Sequence, residues 1–156
     1  MSIAQKYKEL EKYLHKDDAE KINKIFSEIL KETFDLVNKK IESKGTFDIN
    51  DPEEAAAVRA MFEYMLELWN DGEIEEAKEV GYDMAYLVND PKIKEMFSMY
   101  VLGMLDKLDI DTFFEKYVDD SKAYKDMFLA EFNDDIDELV IKHKKQFQEE
   151  FSKDAK

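Results

Sequence analysis

Two short segments that join an aspartate to a proline constrain this chain most, because they fix where helices begin. Asp51-Pro52-Glu53-Glu54 combines an N-cap side chain, a proline suited to the first turn and two acids that suit the positive end of a helix dipole. Asp90-Pro91 repeats the start signal thirty-nine residues later, and Asn70-Asp71-Gly72 divides the stretch between them. The pattern predicts a helical hairpin, followed by a further helix from Pro91.

The rest of the chain carries the same helical signals. Ser2 with Gln5, and Asp17 with Glu20, have capping-box spacing, and Gly45 follows the second apolar stripe as a stop. The chain has 4 Gly, 2 Pro and no segment that we interpret as a strand. Further helices are predicted at about residues 3–14, 18–43 and 111–118, with Phe47 and Ile49 of the intervening loop in the core. We predict one all-α domain over residues 1–151, a bundle of six to eight helices built from antiparallel hairpins.

A final helix is predicted to follow Ser121. Its apolar stripe includes Phe128, Phe132 and Phe147 and continues to residue 151. A helix of about 30 residues would be far longer than the usual 11–12, and Asn133-Asp134-Asp135 with a Glu three residues on could cap a new helix. We therefore predict a bend or break near Asn133, and a frayed tail at residues 152–156.

The predicted hairpin also carries a family resemblance. Gly72-Glu73-Ile74-Glu75-Glu76-Ala77, ahead of a helix that ends at Asn89-Asp90-Pro91, resembles the corresponding segment of a tetratricopeptide repeat. The resemblance covers residues 58–91, with 92–118 as a degraded second copy. Nineteen steps separate Gly72 from Pro91, against about seventeen in the family pattern, and Gly81 stands where an aromatic is usual. The resemblance implies a TPR-like stack of hairpins, and a generic helical bundle is the alternative.

Charge is concentrated in the middle of the chain. The net charge is −15, and residues 46–91 carry thirteen acids against two basic residues. Such a field repels nucleic acid and anionic membranes and attracts basic proteins. No stretch is apolar enough for a membrane span or a leader, and there is no Cys. We expect a cytoplasmic protein with a basic protein partner, no nucleic acid and no membrane.

The residues needed for most catalytic and metal sites are missing. Without Cys, thiolate zinc sites and cysteine nucleophiles are excluded, and the only histidines are His15 and His143. His143 lies on an apolar stripe and is interpreted as a packed, hydrogen-bonded residue. The acidic clusters at Asp48 and Asp109 lack the spacing of a calcium loop and are explained by helix capping. We predict no catalytic residue, no metal and no cofactor.

The sequence favours a non-enzymatic protein-interaction domain, such as an adaptor, a chaperone or an inhibitor of the immunity type. Its third, fourth and sixth helices would present acid to the basic partner. The expected partner-binding residues are the aromatic anchors Tyr64, Trp69 and Tyr100 and the steering acids Glu73, Glu75, Glu76 and Asp83.

Two other functions remain open at this point. The first is a binder of a hydrophobic small molecule or lipid, in a cavity among Phe62, Met65, Met104 and Phe128. The second, ranked last, is an enzyme that uses carboxylates and a divalent metal. The helix after Pro91 is apolar nearly all round, which predicts either a central position in the bundle or cover by a second subunit in a homodimer.

Overall fold

A computed structural model describes residues 2–123 and 130–154 of the chain. The described residues form seven α-helices, one two-stranded hairpin and a short 3-10 turn. The helices are α1 (Ile3–Leu14), α2 (Ala19–Ser43), α3 (Pro52–Asn70), α4 (Ile74–Leu87), α5 (Pro91–Leu105), α6 (Ile110–Tyr117) and α7 (Asp137–Asp154). This architecture confirms the prediction of an all-α bundle with six to eight helices. No helix in the described ranges has the length and apolar character that a membrane crossing requires.

Capping side chains begin the helices near the predicted positions. Ser2 and Gln5 form the predicted capping box, and the Asp51 carboxylate accepts hydrogen bonds from the first-turn amides of α3. Two predicted starts shift by one or two residues. Asp18 rather than Asp17 caps α2, because Asp17 takes a left-handed conformation with φ 54° in the preceding turn. Asp109 caps α6, so that helix begins just before the predicted Asp111.

The core is centred on α5, which packs between α4 and α7. Tyr100 of α5 is 1% exposed and contacts the rings of Trp69 and Phe113, with centroids 6.5 Å and 5.1 Å away. Gly103 lies so close to Phe113 that a Cβ atom there would overlap the ring. Elements of the same chain therefore cover the helix that is apolar nearly all round, which is the central position allowed by the sequence.

The region before α7 differs from the prediction. Ser121 does not cap a helix, because it lies in strand β1 (Val118–Ala123), which pairs antiparallel with β2 (Ala130–Phe132). The predicted residues 124–129, including Phe128, lie outside the described ranges. The break near Asn133 is present: its side chain accepts a hydrogen bond from the Asp135 amide and caps the 3-10 turn that leads into α7. Helix α7 then continues to Asp154, beyond the predicted end at residue 151.

The loop between α2 and α3 is tied to the end of α4. The Phe47 amide donates to the Leu87 carbonyl at 2.7 Å, and the Phe47 carbonyl accepts from the Asn89 amide at 3.2 Å. The Phe47 side chain is fully buried and Ile49 packs against the same core, as predicted. These bonds form a short parallel bridge between Phe47 and Val88, which holds the loop that follows α2 against the end of α4.

Candidate protein-binding groove

A surface groove of about 530 Å³ runs between helices α2, α3 and α4. Each helix contributes side chains one turn apart. The lining residues are Phe34, Val37, Asn38 and Ile41 of α2, Met61, Tyr64 and Leu68 of α3, and Glu76, Glu79, Val80 and Asp83 of α4.

The order of residues along the groove follows from two contacts between α2 and α3. Lys40 pairs with Glu54 at 2.9 Å, and the Phe34 ring lies edge-on to the Tyr64 ring with centroids 5.2 Å apart. Moving back along α2 therefore corresponds to moving forward along α3, so the two helices are antiparallel. Because α3 and α4 form the next hairpin, α2 and α4 run in the same direction on either side of the α3 floor.

The floor and the α2 wall are apolar and partly open to solvent. Ile41 is 52% exposed and Phe34 is 37% exposed, whereas Val37, Met61 and Leu68 beside them are buried. Single exposed apolar residues are common on proteins, but here they adjoin one concave surface. Such a surface is typical of a place where another apolar group binds.

The α4 wall is acidic. Glu76, Glu79 and Asp83 follow one another at spacings of three and four residues, so they lie along one side of the helix. Burial, and after it the negative charges of Glu76 and Glu67, raise the pKa of the Tyr64 hydroxyl above its usual value. No basic residue is among the groove's lining residues. The groove therefore combines an apolar floor with negative charge along one edge.

The structure brings together three of the seven predicted partner-binding residues. Tyr64, Glu76 and Asp83 all line the groove. Glu73 is exposed at the start of α4, and Glu75 lies on another side of that helix, 3.2 Å from Lys78.

The two other predicted anchors are core residues. Trp69 is 3% exposed and its indole nitrogen donates to the Leu108 carbonyl, while Tyr100 is 1% exposed inside the aromatic cluster. Neither ring reaches the surface of the described structure, so the interpretation of both as surface anchors is corrected. Both rings are covered in part by α6, whose Phe113 contacts Trp69 at 5.3 Å and Tyr100 at 5.1 Å between ring centroids.

Sequence reasoning missed the α2 wall. Phe34, Val37 and Ile41 are not among the predicted partner-binding residues, none of which lies on α2. The signal available in the sequence is that Phe34 and Ile41, seven residues apart, fall on one side of α2. Ile41 is 52% exposed on that side.

A second side of α4 is closed by α7. Lys78 is 9% exposed and donates to Glu150 at 3.0 Å, and the Tyr82 hydroxyl donates to the same carboxylate at 3.2 Å. Burial raises the pKa of Glu150, but hydrogen bonds from Lys78, Gln146 and Tyr82 and the Lys78 charge outweigh it, so the pKa lies below its usual value. These charges are satisfied inside the chain and support helix docking.

His143 is hydrogen-bonded and largely covered, as the sequence predicted. Its ring nitrogen lies 2.8 Å from the Asp106 carboxylate, which Lys142 also contacts at 2.8 Å. Burial raises the pKa of Asp106, but the hydrogen bonds and charges of Lys142 and His143 outweigh that effect, so the pKa lies below its usual value. The cluster joins the end of α5 to α7. Among the described residues, no group of three or more His, Asp or Glu side chains is arranged to hold a metal ion.

The residues proposed for a small-molecule cavity are packed in the core. Phe62, Met65 and Met104 are each no more than 5% exposed, and the Phe62 ring meets those of Phe97 and Tyr100 edge-on. Phe128 lies outside the described residues.

The comparisons with known proteins leave the groove as the main guide to function. Neither the scan against protein-family models nor the searches of curated proteins and solved structures found a match. The tetratricopeptide resemblance therefore stays a prediction.

Proposed function

We propose that this chain is a non-enzymatic protein-interaction domain that binds a basic segment of a partner protein in the groove between α2, α3 and α4. The observation that carries the proposal is the acidic row Glu76, Glu79 and Asp83 beside an apolar floor. A partner with both apolar and basic side chains would satisfy both parts of this surface.

The two parts of the groove have different roles in this proposal. Burial of apolar side chains on Phe34, Ile41 and Tyr64 supplies affinity, at about 25 cal/mol per Å² removed from water before the costs of association. The acidic row supplies orientation, and with the −15 net charge it accelerates encounter with a basic partner. Binding should accordingly weaken as salt rises.

Two further predictions from the sequence, the TPR-like stacking and the cytoplasmic location, are part of this proposal. A TPR-like stacking of hairpins would give the chain a concave surface of the kind that repeat proteins use for binding. A cytoplasmic location is compatible with the absence of Cys.

A selection experiment tests the proposal without a known partner. A random peptide display library is selected on the wild-type protein and counter-selected on Glu76→Lys/Glu79→Lys/Asp83→Lys. The matched control is Glu95→Lys/Glu115→Lys/Glu149→Lys, which changes net charge equally at exposed acids outside the groove. Circular dichroism checks that each variant folds.

The expected result is a set of peptides rich in Lys, Arg and apolar residues that bind wild type and the control but not the groove variant. Binding should also be lost in the second groove variant Ile41→Asp. If the selected peptides bind the groove variant as tightly as the wild type, or if none is enriched, the proposed function is wrong.

A further inference from the structure

We infer that the groove is built for an amphipathic α-helix of the partner, with one apolar stripe about two turns long and basic residues along a single flank of that stripe. This inference rests on the proposed function and adds the conformation and charge pattern of the bound segment.

The length of the groove matches a short helix. The lining residues extend from Phe34 to Ile41 on α2, from residue 61 to 68 on α3, and from 76 to 83 on α4. Each of the three helices thus lines the groove over seven residue steps, which at 1.5 Å per residue is about 10.5 Å or two helical turns. Apolar side chains at positions i, i+3 or i+4, and i+7 of a partner helix span the same length.

The groove offers no backbone hydrogen bonds to an extended peptide. Its floor and both walls are helices, whose backbone N–H and C=O groups are already paired within the helix. An extended segment binds best at a sheet edge, where its own backbone finds partners. Over about 10.5 Å it would also place only about three residues, of which about two face the floor. A helix satisfies its own backbone and places three apolar side chains there.

The charge on the groove lies on one side only. Glu76, Glu79 and Asp83 all belong to α4, whereas the α2 wall contributes Phe34, Val37, Asn38 and Ile41, none of which is charged. A bound helix would therefore meet acid on one flank and apolar or neutral groups on the other. Its Lys and Arg residues should recur with the same one-turn spacing as the acids, on the flank that faces α4. A helix with its basic residues on either flank of the apolar stripe can meet this condition, because it can bind in the chain direction that places that flank against α4.

Three synthetic peptides of identical composition test the inference. Each is a capped peptide of about 14 residues, with three leucines and three lysines among alanine and glutamine. The flank peptide has leucines at spacings of four and three, with the lysines on one side of that stripe. The back-face peptide keeps the leucines and moves the lysines to the opposite face. The alternating peptide places the leucines at every second residue, in the pattern of a strand.

Affinity is measured by fluorescence anisotropy, with circular dichroism of the complex to detect helix formation. We expect the flank peptide to bind with a gain in helicity and the back-face peptide to bind about tenfold more weakly, since its lysines no longer face the acidic row of α4. The alternating peptide, and a flank peptide with a central proline, should bind more weakly still. Binding of the flank peptide should disappear in Glu76→Lys/Glu79→Lys/Asp83→Lys and persist in the control triple variant.

The remaining outcomes separate this inference from the proposed function. If the alternating peptide binds as tightly as the flank peptide, or the back-face peptide does, the helical inference is wrong although the groove still binds basic segments. If none of these peptides binds while the library yields groove-dependent basic sequences of another pattern, the inference fails and the proposed function stands. If the library too yields nothing that depends on the groove, both are wrong.

Discussion

Helix α4 presents charged side chains on two sides, and the rest of the chain treats those sides differently. On the covered side, α7 packs over Lys78 and Tyr82 and supplies Glu150 as their common partner. On the groove side, Glu76 and Glu79 are exposed beside apolar residues of α2 and α3. The covered side has its charges neutralised and its aromatic ring buried, while the groove side keeps both its acid and its apolar floor accessible.

The two sides of α4 should therefore contribute to different properties: the covered side to stability and the groove side to binding. Lys78 and Tyr82 are buried under α7 and share the Glu150 carboxylate, so removing one of these groups takes a hydrogen bond from the others. Exposed acids along an open groove contribute little to folding. Substitutions on the covered side should therefore destabilise the protein and leave binding in the groove unchanged, whereas substitutions on the groove side should weaken binding with little loss of stability.

The largest expected effect comes from two tyrosines, one on each side. Tyr82 is 4% exposed and meets the Phe147 ring at 5.2 Å, so Tyr82→Ala should lower the free energy of unfolding by about 3–5 kcal/mol. Tyr64 in the groove is only half-buried, and Tyr64→Ala should cost about 1 kcal/mol. Urea denaturation of both variants makes the measurement. Equal losses would contradict the distinction between the two sides.

The next effect tests the third face of α4, which packs on α5. A Cβ atom at Gly81 would overlap a methyl group of Val101, a β-branched residue with little freedom to move. Gly81→Ala should therefore destabilise the protein by about 1–3 kcal/mol, partly offset by about 1 kcal/mol of helix propensity. The double variant Gly81→Ala/Val101→Ala should no longer suffer the overlap. Thermal unfolding of the single and double variants checks whether overlap is the cause.

The ion pair on the covered side should show a defined pH dependence. Glu150→Gln should cost about 1–2 kcal/mol at neutral pH, because Lys78 loses a charged acceptor. The pKa of Glu150 is lowered in the folded state, so its contribution is present above the ordinary glutamate pKa and is lost as the pH falls through the folded value. The stability difference between wild type and variant should shrink in acid. A difference that stays constant from pH 7 to pH 3 would contradict this account.

A small effect on folding is expected from acids on the groove side. Glu76→Gln and Glu79→Gln should each change the free energy of unfolding by less than about 0.5 kcal/mol. The same substitutions should weaken binding of the flank peptide, and less so at high salt. Parallel denaturation and anisotropy measurements distinguish the two effects. A large loss of stability would show that these acids support the fold.

The smallest effect concerns the groove's electrostatics. Burial and the charges of Glu76 and Glu67 raise the pKa of the Tyr64 hydroxyl. Glu76→Gln should move that pKa back towards its ordinary value, and Glu75→Gln, on another side of α4, should not. Titration followed by carbon NMR of labelled tyrosine reports the shift. An unchanged Tyr64 pKa in the first variant would indicate that the groove carries less negative potential than proposed.

Much of the fold was predictable because helix starts are local. The cap at Asp51 and the capping box at Ser2 depend on a few successive residues, so the sequence alone identifies them. The β1–β2 hairpin was missed because pairing Val118 with Phe132 joins residues fourteen positions apart. Phe132 also fits the helical spacing of the stripe that follows it, which favoured the wrong interpretation.

The groove was only partly predictable for a similar reason. The acidity of α4 is visible in the sequence, and it led to Glu76 and Asp83. The α2 wall could not be matched to it, because Phe34 and Glu76 come to line one groove only through the packing of both helices on α3. Trp69 could not be recognised as a core residue from the sequence, because nothing there indicates that α6 packs against it.

The bridge at Phe47 restricts the separation of the groove walls at one end of the groove. Its backbone bonds to Leu87 and Asn89 join the loop that follows α2 to the end of α4, at the end of the groove that Ile41 and Asp83 line. Any widening must therefore be greatest at the opposite mouth, where Phe34 faces Glu76. A partner helix that needs the walls to separate should therefore enter the groove at the end lined by Phe34 and Glu76.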